Sequence, residues 1–221
     1  MKLEIRTPIW RNKWLASLGV KGEADRQLLA DMESAEGLLM EAAEPRGIYR
    51  IMERKDIRLP GLSIERHLEG CRKVAVMGVT LGMEIDNLIR RTQITDMARA
   101  VLLDSGASLL AEQACDRLEE LIETYIKTDS KEQGEIFTTS RFSPGYGDFP
   151  IEMQREFIRC IDGQRKIGLN VTRDSLMIPR KSITAIIGLA DHPVSGHPAT
   201  CEECVLRATC SLREKGEFCG N

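Results

Sequence analysis

Aromatic side chains make up only 5% of this 221-residue chain, and histidine occurs three times. No apolar run approaches the roughly 18 residues that a membrane-spanning helix needs. There is no basic excess either. The formal net charge is −3, which argues against a general binder of nucleic acid or acidic membranes. Both the GxGxxG spacing and the lysine-bearing phosphate loop are missing. Gly78-Val-Thr-Leu-Gly82, between a strand pattern and a helix pattern, therefore reads as a plain turn. Met1-Lys-Leu-Glu-Ile-Arg6 has charges where a signal peptide needs apolar residues, so the expected compartment is the cytosol.

What is present suits one large domain with an appendage. Hydrophobic residues make up 42% and charged residues 29%, ordinary values for a globular core and its surface. Helical spacing covers residues 23–44, where Leu28, Met32, Ala35, Leu39 and Ala42 recur every three or four positions. Short strands are expected at 48–53 and 56–59, then a helix capped by Ser63. Residues 73–80 read as a buried strand, and a helix follows Gly82. The longest helical pattern spans 95–127, with a stripe of Val101, Ala107, Leu110, Ala114, Leu118, Leu121 and Tyr125. Asp104 and Glu112 lie among its apolar positions; a solvated face explains either, and a cleft would use one. Strands are expected at 135–141, 166–171, 175–178 and 182–190, with a short helix at 151–161. Turns rather than long helices separate these strands, which predicts an α+β fold: helices packed on a twisted, mostly antiparallel sheet.

The composition breaks at Asp191, so the expected division is a domain at 1–190 and a cysteine-rich tail at 191–221. Four of the seven cysteines (Cys201, Cys204, Cys210 and Cys219) fall in that tail. A Cys-x-x-Cys pair grips one metal from a tight turn, and two later thiolates complete a four-sulfur shell for zinc or an iron–sulfur cluster. A redox dithiol or a disulfide pair is the alternative. Cys71, Cys115 and Cys160 are expected to be packing residues.

Arg141-Phe-Ser-Pro-Gly-Tyr-Gly-Asp-Phe-Pro150 is the densest cluster of special residues. Pro144 fixes its own φ, Gly145 and Gly147 open backbone conformations closed to other residues, and Tyr146 offers a flat face and a hydroxyl. Arg141 suits a carboxylate or phosphate. Two readings fit the composition equally: a rigid turn and a small-molecule site.

Arg141-Phe-Ser-Pro-Gly-Tyr146 resembles the Arg-x-x-Pro-Gly-Tyr signature of the activation domain of cobalamin-dependent methionine synthase. Downstream, Val171-Thr-Arg-Asp-Ser-Leu-Met-Ile-Pro179-Arg-Lys-Ser182 is similar to a second block of that domain, and Leu110-Ala111-Glu112 is a weaker match on the long helix. Stand-alone proteins with such domains look similar throughout. The resemblance implies a helmet-like fold and S-adenosylmethionine as methyl donor. It also implies reductive remethylation of a cob(II)alamin cofactor held by a partner, either methionine synthase or another corrinoid protein. An electron donor such as flavodoxin or ferredoxin comes with it. Arg141 is then the partner of the ligand carboxylate, and Pro144, Gly145 and Tyr146 form its cradle. Glu112 is the catalytic acid near the sulfonium. The family's aromatic pair falls here at Ile186-Ile187, a departure at the methionine end of the ligand. No Asp-x-His-x-x-Gly cobalt-ligating motif occurs, so the cobalamin belongs to the partner. An iron–sulfur tail would relay an electron to it, whereas a zinc tail would dock. The competing reading is a non-catalytic adaptor that binds S-adenosylmethionine or docks on a corrinoid protein.

Overall fold

Runs of apolar residues at helical spacing and two nearly continuous apolar runs determine the architecture of the computed structural model. It describes residues 1–5, 7–129, 135–194 and 213. In chain order the elements are α1 (Arg11–Ser17), α2 (Arg26–Ala42), β1 (Arg46–Glu53), α3 (Leu62–His67), β2 (Lys73–Thr80), α4 (Met83–Thr95) and α5 (Met97–Asp129). They continue with β3 (Phe137–Thr138), α6 (Met153–Cys160), α7 (Gly163–Ile167), β4 (Asn170–Val171), β5 (Met177–Ile178) and β6 (Ser182–Ala190).

The main sheet is antiparallel in the order β1-β2-β6-β3, with Lys73 opposite both Glu53 and Leu189; β4 and β5 form a separate small hairpin. Side chains alternate between the two faces. Ala75, Met77, Val79, Ala185, Ile187 and Leu189 face a core shared with α1, α2, α4 and α5. Val74, Val76, Ile186 and Ala190 face a smaller core that includes Ile64 and Leu68, Phe149 and Phe157. Both faces of β2 and β6 are covered, which is why their sequences are almost continuously apolar.

Small residues on α5 let its neighbours approach, as the alanines and glycine of its first half predict. A Cβ on Gly106 would stand 2.5 Å from Trp14 Cζ2 and 2.8 Å from Leu39 Cδ1, and Trp14 Nε1 donates to Ser105 Oγ at 2.8 Å.

Several local expectations change. Residues 46–53 form one strand, and a 3₁₀ turn at Arg54–Asp56 takes the place of a second one. The expected strand at 166–171 is divided between α7 and the two-residue β4, with Gly168 (φ 74°) ending the helix. Of 135–141 only Phe137–Thr138 is strand. The long helix starts after a break at Asp96, whose extended backbone ends α4. Its stripe holds in the middle and rotates at the ends: Leu102, Leu103, Ile122 and Ile126 are buried, whereas Val101 and Tyr125 are exposed. Stepping by fours through Leu118, Ile122 and Ile126 keeps the core face of a straight helix, and the residues one position earlier turn outward.

Among the described residues, no helix is long and apolar enough to cross a membrane.

Candidate functional site

Strand β3 and the extended residues after it run along the edge of β6. Thr139 N donates to Gly188 O at 3.0 Å; Phe142 N and Ile186 O, then Ile186 N and Phe142 O, pair at 3.0 and 2.9 Å. Alternation along this segment sends Arg141 toward α5 and Phe142 to the opposite face, where it packs on the smaller core.

Arg141 meets three acids of one helix face. Glu112, Asp116 and Glu119 are spaced i, i+4 and i+7, which stacks them on consecutive turns. Nη1 donates to Asp116 Oδ1 at 2.6 Å and to Glu119 Oε2 at 2.9 Å; Nη2 donates to Glu112 Oε2 at 3.3 Å. The Arg141 side chain is 22% exposed and that of Glu112 is 46% exposed. Burial pushes the Glu112 and Glu119 carboxyls above the usual range, and the guanidinium only partly offsets that. Burial also works against the charge on Arg141, yet the groups around it hold its pKa above the ordinary arginine value. With all three carboxylates ionised, the group has two negative charges in excess.

Beyond Arg141 the chain forms two linked turns. Tyr146 N donates to Ser143 O at 3.1 Å, with Pro144 and Gly145 (φ 96°) at the central positions, the pattern of a type II turn. Phe149 N donates to Tyr146 O at 2.9 Å and Gly145 N to Phe149 O at 2.8 Å. Tyr146 is 57% exposed and meets the Phe142 ring edge-on at 5.8 Å. The turns rest on α3. Asp148 accepts from Leu62 N at 2.7 Å and Ser63 N at 2.8 Å, bonds that hold its carboxyl below the usual range.

The structure thus brings Glu112 and Arg141 together. It sets Pro144, Gly145 and Tyr146 just past them, held by α3 and by Phe142 on the other face. Asp104 pairs instead with Lys181 at 3.0 Å. Ser63 does not cap α3: the N-cap is Gly61, and the capping oxygens come from Asp148. Ile186 and Ile187 are buried on opposite faces of the sheet. Cys71 and Cys115 are buried and Cys160 is half-buried, and all three are free thiols raised by burial. Cys201, Cys204, Cys210 and Cys219 lie outside the described residues. Sequence reasoning missed Asp116, Glu119, Asp148 and His67. The first two had a signal, the i, i+4, i+7 spacing from Glu112.

The structure thus combines a four-stranded antiparallel sheet, helices on both its faces, and at its edge an Arg-Phe-Ser-Pro-Gly-Tyr turn beside an acidic face of α5. The family described as "Vitamin B12 dependent methionine synthase, activation domain" matches residues 64–196, more than half of the chain, and the chain belongs to that family. Among solved structures it is similar to a crystal structure of the MetH reactivation domain bound to AdoHcy. The TM-score is 0.62 at 17% identity, covering 95% of this chain and 82% of the other. No curated protein matches the sequence.

Proposed function

We propose that the chain binds S-adenosylmethionine across the sheet edge at Arg141–Tyr146 and presents its methyl group to a corrinoid carried by a partner protein. The observation that carries this reading is the Arg141–Glu112 pair, 3.3 Å apart at the entrance to the Pro-Gly-Tyr turn. Membership of the family supports it, as does the AdoHcy in the similar crystal structure. An acidic cluster in which three carboxyls share one guanidinium favours a ligand with a sulfonium and an ammonium. The Glu112 bond is the longest of the three, and Asp116 and Glu119 hold Arg141 through Nη1. Glu112 is therefore the acid that yields Nη2 to the ligand carboxylate and turns to the positive charge beside it. Gly145 exposes main chain, and Tyr146 presents a flat face for adenine. The methyl passes from the sulfonium to the reduced cobalt of the partner's corrinoid. The new Co–C bond uses the cobalt electron pair, and the electrons of the broken C–S bond stay on sulfur.

In the same reading the chain acts as a separate subunit in the cytosol. Residues 1–190 form the activation-like unit, and the tail holds zinc or an iron–sulfur cluster on Cys201, Cys204, Cys210 and Cys219. Its partner is methionine synthase or another corrinoid methyltransferase, and a flavodoxin or ferredoxin supplies the electron.

Calorimetry with S-adenosylmethionine and S-adenosylhomocysteine tests the site. Wild type should bind, and Glu112→Gln and Tyr146→Ala should each weaken binding about tenfold, the scale of one lost charged or stacking contact. No binding by wild type, with or without a corrinoid protein, overturns the reading. Labelled methyl appearing in methylcobalamin under a strong reductant then separates a catalyst from an adaptor.

A further inference from the structure

We infer that α3 is a positioning splint for the Arg141–Gly147 segment, fastened at its two ends by Asp148 and His67; the functional part of this rests on that segment being the ligand site proposed above. Six residues are too few for a helix to persist by itself. The N-cap, Gly61, has no side chain with which to satisfy the first amides. Asp148 supplies that cap from 85 or more positions away, with one oxygen on Leu62 N and the other on Ser63 N. Two glycines let the segments touch. A Cβ on Gly61 (φ 121°) would stand 3.0 Å from the main-chain oxygen and from Oδ1 of Asp148, and one on Gly147 (φ 54°) would collide with Ser63 Oγ. At the far end, His67 Nε2 lies 2.8 Å from Ser140 O, and its ring is 4.7 Å from that of Phe142. Ile64 and Leu68 root the helix in the smaller core.

Ser140 directly precedes Arg141, and Asp148 directly follows Gly147. The two fastenings therefore bracket the segment that carries the guanidinium, the type II turn and Tyr146. Helix and loop complete each other: the loop caps the helix, and the helix, rooted through Ile64 and His67, fixes where the loop begins and ends. Asp148 and His67 act on the ligand through the loop.

Hydrogen exchange by mass spectrometry on the full chain tests the splint without any ligand. Asp148→Ala should speed exchange in residues 141–150 about tenfold, the scale of a lost cap, while β2 and β6 keep their rates. Asp148→Asn, which retains one accepting oxygen, should recover about half of the protection, and His67→Leu should loosen the Ser140 end. With S-adenosylmethionine, Asp148→Ala should raise Kd and KM about tenfold and leave kcat at saturation within twofold. Loop exchange within twofold of wild type overturns the splint, as does a uniform rise across the sheet. If wild type binds no S-adenosylmethionine, the ligand reading fails, and the exchange result still decides whether α3 holds the loop.

Discussion

Replacing Arg141 with methionine preserves an unbranched side chain and removes the counter-charge of three carboxylates. At a separation of about 4 Å, one such attraction is worth about 1 kcal/mol in water and about 4 kcal/mol in a near-surface dielectric. Glu112 and Asp116 are each more than 40% exposed, so screening moves their pairs toward the lower figure, while Glu119 at 24% lies higher. Removing the guanidinium also unmasks repulsion among the acids. A net loss of about 2–3 kcal/mol at pH 7 follows, below the cost of breaking a fully buried pair. The sign with pH is determined by the acids. Burial already raises Glu112 and Glu119, and without the guanidinium they rise further. An acid whose folded pKa exceeds its unfolded value destabilises the fold once ionised. The deficit is therefore present at neutral pH and shrinks as pH falls through the raised folded values toward the unfolded value of about 4.3. Urea unfolding of wild type, Arg141→Met and Arg141→Lys at pH 7 and 4.5 measures it. The methionine variant should lose about 1 M in midpoint at pH 7, and the lysine variant about half of that. Equal midpoints at pH 7, or a deficit that widens toward pH 4.5, would refute the argument.

Glu112→Gln should leave stability at pH 7 unchanged or raised by up to about 0.5 kcal/mol, because Asp116 and Glu119 still hold Arg141; the difference should vanish toward pH 4.5 in the same unfolding series. Gly106→Ala should cost about 2–3 kcal/mol by pushing into Trp14 and Leu39, whereas Gly37→Ala, with nothing within 4 Å of its Cβ on α2, should gain up to about 1 kcal/mol; chemical denaturation separates them. Purified chain should contain stoichiometric zinc or an iron–sulfur chromophore that bleaches with dithionite, and the double change Cys201→Ser, Cys204→Ser should remove it; a metal-free wild type sinks the tail assignment.

Strands β2 and β6 were legible to the residue, because burial on both faces writes an almost continuous apolar run. The middle of α5 was legible for the same kind of reason, and its small residues announced close neighbours. Local pattern failed where a distant partner decides the outcome. Lys166–Ile167 resembles the start of a strand, yet it forms the end of α7, which packs against β1 and β2. Ser63 resembles a cap, yet the capping oxygens arrive from Asp148. At the candidate site, Arg141 and Glu112 were singled out through a family resemblance, and the structure shows that the two side chains meet. Asp116 and Glu119 hold the same guanidinium, a role that required knowing which face of α5 meets Arg141.

The two hydrophobic layers on either side of the sheet are unequal in extent, and the proposed ligand turn is attached to the smaller one. Protection against opening scales with the apolar surface a layer must expose. The α3, α6 and α7 side should therefore come loose at a lower free energy than the side formed by α1, α2, α4 and α5, through partial unfolding that leaves the larger layer intact. A chain built this way can loosen the edge that carries the Pro-Gly-Tyr turn while the long helix and the sheet beneath it stay assembled.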